Sequence, residues 1–171
     1  AGNLVPGDTN RVADIFVHDR QPGDTPRVSI GLRGTNPGAV SSAPAVSSDG
    51  RYVAFRSEAA NLVLGDTNGA ADIFVYDRVT SQTTRVSVAT GGAQANNESD
   101  LPALSADGRY VAFVSPVDGL VAGDTNGHAD AFVYDRSTAQ LQRIAVAYWT
   151  DNSDAGMPTI SGDGRFVAFA S

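Results

Sequence analysis

Gly65-Asp66-Thr67-Asn68-Gly69-Ala70-Ala71-Asp72-Ile73-Phe74-Val75-Tyr76-Asp77-Arg78 is an acidic, glycine-punctuated loop that runs straight into a short apolar strand. Near-copies begin at Gly7 and Gly123. Their first aspartates are Asp8, Asp66 and Asp124, which are evenly spaced along the chain. An even period of that length is the mark of a repeat architecture, and it constrains the fold before any single residue does.

Working outward from the loop, each repeat contains four short strands. In the central copy, Leu101-Pro102-Ala103-Leu104-Ser105 forms a first strand opened by proline, which is tolerated there. Ala106-Asp107-Gly108-Arg109 makes a tight turn. Tyr110-Val111-Ala112-Phe113-Val114-Ser115 is a nearly continuous apolar strand, the pattern of burial on both faces. The acidic loop then leads into Ala131-Phe132-Val133-Tyr134-Asp135. A polar turn over residues 136–140 precedes a fourth strand around Gln142-Arg143-Ile144-Ala145-Val146. Helical periodicity is essentially absent, and the short runs rich in Val, Phe and Tyr are those of an all-β protein. Four antiparallel strands with two apolar faces describe the blade of a β-propeller, packed against a neighbour on either side.

The register of the ends matters. Residues 1–31 supply only a third and a fourth strand. Complete passes run from about Ser42 to Val88 and from about Asp100 to Val146, and residues 157–170 supply only a first and a second strand. Residues 1–171 are therefore expected to form a single half-ring domain of three repeats, with one blade split between the N- and C-terminal strands. Closed propellers use about four to eight blades, so a three-blade arc would leave apolar faces open at both ends. The expectation is a six-bladed ring closed from two chains, a homodimer, or else a longer protein of which this chain is one half.

Composition narrows the function. The net charge of −7 argues against nucleic acid, whose phosphates require a basic stripe. No apolar run is long enough to span a bilayer. There is no Cys, so disulfides and thiolate metal sites are excluded. No nucleophile elbow, phosphate-cradling loop or zinc-ligand His cluster is present, and the two histidines do not suggest a positioned base. The chain is expected not to be an enzyme.

The sharpest chemical pattern is Asp-x-Asn-x-x-x-Asp, which occurs at Asp8, Asn10 and Asp14, at Asp66, Asn68 and Asp72, and at Asp124, Asn126 and Asp130. Two carboxylates, an amide oxygen, a loop carbonyl and water could serve a structural Ca²⁺, which takes six to eight oxygens. The competing reading is that Asp66 and Asn68 close Asx-turns while Asp72 caps loop amides. Arg11 replaces the turn glycine in the first copy, so that site is expected to be weakest or empty.

Other polar residues read as structure. Asp49, Asp107 and Asp163 each precede Gly-Arg and belong to turns, while Asp19, Asp77 and Asp135 are expected to pair with the arginine that follows each of them. His18, in the slot of Tyr76 and Tyr134, is expected to pack as a strand residue. The acidic loops should share a rim with the inter-blade loops, which differ between repeats, and loops on a rigid scaffold commonly carry binding. Tyr148 and Trp149, in the last of these loops, are candidate ligand-face residues, although blade packing or an intersubunit contact is the first expectation for them.

Ser-x-Asp-Gly-Arg-Tyr-Val-Ala-Phe, at Ser47–Phe55 and Ser105–Phe113 and with Phe166 for Tyr in the last copy, is followed in the repeat by Asp-Ile-Phe-Val-Tyr-Asp. Together these resemble the WD-like repeat of TolB-type β-propellers, across essentially the whole chain. Asn-Leu-Val-x-Gly-Asp-Thr-Asn-Gly resembles bacterial secreted or cell-surface proteins built of such repeats. The resemblance implies a six-bladed propeller, an extracytoplasmic location (periplasmic, cell-surface or secreted) and protein interaction. The expected role is thus a non-catalytic, calcium-stabilised scaffold that binds a protein or peptide on its loop face. A carbohydrate-binding, lectin-like propeller is the alternative.

Overall fold

The computed structural model describes residues 4–116, 119–124, 127–144 and 154–170. Among them are ten strands and one short 3-10 turn at Leu32–Gly34. Strands β1 (Ser41–Val46), β2 (Tyr52–Ser57), β3 (Asp72–Asp77) and β4 (Gln82–Arg85) form one antiparallel sheet in sequential order. Strands β5 (Asp100–Leu104), β6 (Tyr110–Ser115), β7 (Asp130–Asp135) and β8 (Gln140–Arg143) form a second sheet of the same kind. Strands β9 (Gly156–Ile160) and β10 (Val167–Ala170) pair only with each other among the described residues.

The chain is therefore two complete blades with half a blade at each end. The N-terminal half is a hairpin around the bridge between Phe16 and Arg27, held by Val17 N–H to the Pro26 carbonyl and Val28 N–H to the Ile15 carbonyl. It shows less regular pairing than the expected third and fourth strands. Pro26 stands where β4 has Thr84, and proline cannot donate to the ladder. No second strand lies beside Phe16 among the described residues.

Packing between blades supplies the core. Phe55 stacks on Phe74 at 5.9 Å and Phe113 on Phe132 at 5.8 Å, each pair joining the two middle strands of its blade. Offset aromatic pairs of this kind add about 1 kcal/mol beyond the area they bury. One apolar cluster unites the first blade with the N-terminal hairpin through Ile15, Val28, Phe55, Leu62 and Phe74. Another unites the two complete blades through Ala54, Ile73, Val75, Val111, Phe113 and Phe132. At the far end, Phe169 of β10 lies against Ala131 and Ala155.

The Asp-Gly-Arg turns behave as the sequence suggests. Asp49 and Asp107 each accept bonds from a preceding serine hydroxyl and from an arginine N–H two residues on. Gly108, with φ +70°, lies against the ring of Tyr52 in the blade before it, leaving no room for a side chain. Neighbouring turns are also joined by hydrogen bonds, from Ser48 N–H to the Ala106 carbonyl and from Ala106 N–H to the Gly162 carbonyl.

The ion pairs at the ends of the third strands differ from expectation. Asp77 is held by Arg51 and Asp135 by Arg109, both through paired guanidinium bonds, and not by the arginines that follow them in sequence. Those following residues, Arg78 and Arg136, donate instead to the carbonyls of Gly50 and Gly108. Antiparallel pairing places the start of the second strand opposite the end of the third, which brings Arg51 and Asp77 together.

Each first strand carries a kink. Ala43, Leu101 and Met157 have φ values of 49°, 54° and 44°, and each precedes a proline. The pairing register shifts at each of these places, as a β-bulge requires. The three residues and their prolines converge on a shallow cavity of about 250 Å³, where successive innermost strands meet.

Candidate functional site: the acidic-loop rim

The acidic loop crosses from the second to the third strand of each blade and must return over exposed ground. Its backbone is shaped by turn chemistry. Asn68 Oδ1 accepts from Ala70 N–H at 3.0 Å, and Asn10 Oδ1 from Val12 N–H at 3.3 Å. These are Asx-turns. The amide nitrogens point the other way, Asn68 Nδ2 to Asp72 Oδ2 at 3.3 Å and Asn10 Nδ2 to Asp14 Oδ2 at 3.1 Å. Each asparagine thus offers a donor, not an oxygen, to its aspartate. The left-handed turn position is filled by Gly69 (φ 66°) and, in the first loop, by Arg11 (φ 62°). A side chain makes that conformation unfavourable.

The two aspartates of each loop do come together, and a guanidinium lies between them. Arg85 Nη1 is 3.4 Å from Asp66 and 3.5 Å from Asp72. Arg143 Nη1 is 2.7 Å from Asp124 and 3.2 Å from Asp130. Arg27 Nη1 is 3.6 Å from Asp8 and 3.5 Å from Asp14. The carboxylates are almost fully buried in all three loops and the guanidinia nearly so. The cation that balances each acidic pair is thus part of the chain.

Nothing in the loops themselves announces these arginines, because they lie on the fourth strand, 13 residues beyond the second aspartate. The signal is nevertheless present in the sequence, since Arg27, Arg85 and Arg143 keep the same spacing as the aspartates.

Asp72 carries the most elaborate surroundings. It accepts from Ser87 Oγ at 2.5 Å, from Gln94 Nε2 at 3.2 Å and from Arg85 at 3.5 Å. Burial raises its pKa above the ordinary carboxylate range, opposed by the serine hydroxyl and the guanidinium. Asp77, at the other end of the same strand, is held well below that range by the paired bonds from Arg51.

The inter-blade loops are fastened to the same rim. Gln94 donates to Asp66 Oδ1 at 2.9 Å, while its carbonyl accepts from Thr67. Asn68 Nδ2 also donates to the Ala95 carbonyl and Asn10 Nδ2 to that of Pro37. In the third repeat, Ala129 N–H donates to Asp154 Oδ1 at 2.9 Å, the main reason that Asp154 titrates low. In the first repeat Asn36 stands where the second has Gln94. One methylene shorter, it bonds Thr9. Both carboxylate oxygens of Asp8 and the Asn36 Oδ1 are left buried with no hydrogen-bond donor among the described residues.

Among the described residues, no group of three or more His, Cys, Asp or Glu side chains converges on a point. Asn126, Tyr148 and Trp149 lie outside the described residues. His18 is not packed as Tyr76 and Tyr134 are; its Nδ1 stands 2.8 Å from Thr25 Oγ1 in an exposed contact.

Beside the rim, between the N-terminal hairpin and the first blade, is a groove of about 600 Å³ lined by Leu32, Leu62, Val63, Leu64 and Tyr76. Leu64 is 84% exposed, whereas Leu62, two residues before it, is buried.

No protein-family model matches the chain, and no curated protein does. Solved structures do match. TolB from Acinetobacter baumannii superposes with a TM-score of 0.55 at 22% identity, over 91% of this chain and 31% of that one. A putative TolB from Agrobacterium tumefaciens gives 0.54 at 18% identity, over 95% of this chain and 52% of that one. The tricorn protease gives 0.56 at 16% identity, over 94% of this chain and 13% of that one. The chain has the fold of a TolB-like β-propeller, and it spans from about an eighth to about half the length of these structures. No helix among the described residues is long and apolar enough to cross a membrane.

Proposed function

We propose that the chain is a non-catalytic propeller scaffold, acting outside the cytoplasm, whose acidic-loop rim docks an extended peptide or protein segment. Two copies of the chain make up the scaffold in this reading. The observation that carries the docking role is the rim itself. Its long loops are tied down by buried Asp–Arg–Asp bridges and by cross-bonds to the inter-blade loops. A rigid face loses little conformational freedom on binding. It presents Leu64 and Leu32 beside an apolar groove, a pocket of the kind that receives an anchor side chain.

Selection of a displayed peptide library on the immobilised protein tests this. Enriched peptides should bind the parent and lose at least tenfold in affinity on Leu64→Asp, while Val79→Asp, at an exposed position in the turn between β3 and β4, leaves affinity unchanged. Absence of enrichment, or equal loss in both variants, defeats the proposal. Sugar binding on a glycan array, competed by free sugar, would put the lectin reading in its place.

Calcium is a second reading, favoured by one feature. Asp8 of the first acidic loop, the one expected to be weakest, and Asn36 of the neighbouring inter-blade loop leave three buried oxygens without a donor among the described residues. Stabilisation by Ca²⁺ in a thermal-shift titration that disappears in Asp8→Asn would support it. No shift, or an identical shift in that variant, would remove it.

A further inference from the structure

The two half-blades at the ends of the chain pack in different places. The N-terminal hairpin lies against the first complete blade and β9–β10 against the second. Each is missing what the other has. Among the described residues the hairpin is a third and fourth strand without a first and second, and β9–β10 is the reverse.

The open edges match residue for residue. In the complete blades the second and third strands pair Val53 with Tyr76, Ala54 with Val75 and Phe55 with Phe74, and likewise Val111 with Tyr134, Ala112 with Val133 and Phe113 with Phe132. Carrying this register to the free edges sets Val167 opposite His18, Ala168 opposite Val17 and Phe169 opposite Phe16. These are the positions whose burial fails. Ala54 and Ala112 are 0% exposed whereas Ala168 is exposed, and Phe166, in the slot of Tyr52 and Tyr110, is 61% exposed.

Charge matches too. Arg51 grips Asp77 and Arg109 grips Asp135 across the second and third strands. The corresponding arginine in the last repeat, Arg165, lies over the Phe166 ring and has no carboxylate partner among the described residues. The corresponding aspartate in the first repeat, Asp19, has no arginine partner among them, and its side chain accepts from the Gln21 amide. Turn-to-turn bonding reaches its end in the same place, for the series from Ser48 to Ala106 to Gly162 goes no further among the described residues.

We propose that two copies of this chain exchange half-blades, β9–β10 of each pairing with residues 14–29 of the other to make two composite blades, each clamped by Arg165 on the second copy's Asp19. The inference rests on the two-copy reading of the scaffold and adds the register and the residues that enforce it. One complete blade pair from each copy and two composite blades close a ring of six. Continuation into further repeats on one polypeptide would satisfy the same edges, and it is separated from exchange by the behaviour of the 171-residue chain itself.

Light scattering after gel filtration and equilibrium sedimentation measure the outcome. The parent is expected at twice the 17.7 kDa of one chain. Ala168→Arg places a large charged group on an exposed position of the monomer, and should give a folded monomer with unchanged far-UV circular dichroism. Arg165→Asp and Asp19→Arg should each weaken association by about tenfold or more, since like charges would then face each other at both composite blades. An equimolar mixture of those two variants should recover the parent affinity, because in the mixed dimer both junctions carry opposite charges. The double variant Asp19→Arg, Arg165→Asp also places opposite charges at both junctions, and dimerisation should return in it. A folded monomer of the parent chain would overturn both the two-copy reading and the exchange. A dimer indifferent to Ala168→Arg and to the charge reversals would overturn the exchange alone.

Discussion

Val111-Ala112-Phe113 and Val167-Ala168-Phe169 are the same three residues at the same place in the repeat, yet the first set is sealed from water and the second is not. The strands themselves are alike. The difference is the neighbour, since β6 has β7 on its far side and β10 has nothing there among the described residues. In a propeller an apolar run does not bury itself; the next strand and the next blade do it. Stability should therefore follow position in the arc more than identity of the residue, which can be tested by making one change at both places.

The largest contrast is expected from the aromatic pair. Phe113 is a fully buried ring stacked on Phe132, and Phe113→Ala should cost about 3–5 kcal/mol in denaturant unfolding. Phe169 is only partly buried, and Phe169→Ala should cost roughly 1 kcal/mol in dilute protein. A deficit that grows with protein concentration would show that the second ring is buried by another copy. Equal losses in dilute protein would break the comparison.

The acidic bridges come next. Asp72→Ala leaves Arg85 buried with one carboxylate and strips Ser87 of its acceptor. A loss of about 3 kcal/mol is expected. Asp14→Ala should lose less, because Asn36 does not reach across the first loop as Gln94 does across the second. Urea midpoints of the two variants measure the difference.

Turn glycines give a smaller effect. Gly108→Ala forces a methyl group into the Tyr52 ring at a left-handed backbone, whereas Gly50→Ala meets only the far end of Arg78. The backbone alone should cost about 1 kcal/mol at either position, and the clash should add to it at Gly108. Thermal unfolding would order them.

The smallest effect concerns pH. Asp135 titrates low because Arg109 holds it, so its contribution is present above the ordinary carboxylate pKa and fades as pH falls through the lowered value. Arg109→Gln should move the acid-unfolding midpoint to higher pH, and Arg165→Gln in the isolated monomer should leave it in place. Asp72 has the opposite sign. Its pKa is raised by burial, so its contribution is present at low pH and is lost as pH rises through the raised value. Replacing Asp72 by Asn should therefore reduce the loss of stability that sets in above about pH 4. Urea midpoints measured across the acid range would show it.

The blades are legible in the sequence because they rest on spacing, alternation and turn residues, all of which are local. Strand β6 covers the stretch expected of it, Tyr110–Ser115. The long-range pairings are not legible in the same way. Arg85 reaches Asp72 only through the pairing of β3 with β4, and nothing near Asp72 in the chain announces it. The Asp77–Arg51 clamp is hidden for the same reason, since adjacency in sequence points to Arg78 instead. At the N-terminal end, Phe16 and His18 carry the strand pattern but not the burial, since their neighbour lies outside the local sequence. A pattern can state which face ought to be covered; it does not contain the cover.

The kinks at Ala43, Leu101 and Met157 have a mechanical meaning. All three hold a left-handed backbone that their side chains disfavour, and the proline after each limits them further. Each costs on the order of 1 kcal/mol or more, so the innermost strands are held bent like springs by the sheet outside them. Loosening the outer strands of a blade would let its inner strand straighten and move. The middle of the molecule is thus the part that registers slack elsewhere, and a closed ring would keep all of its springs drawn together around one axis.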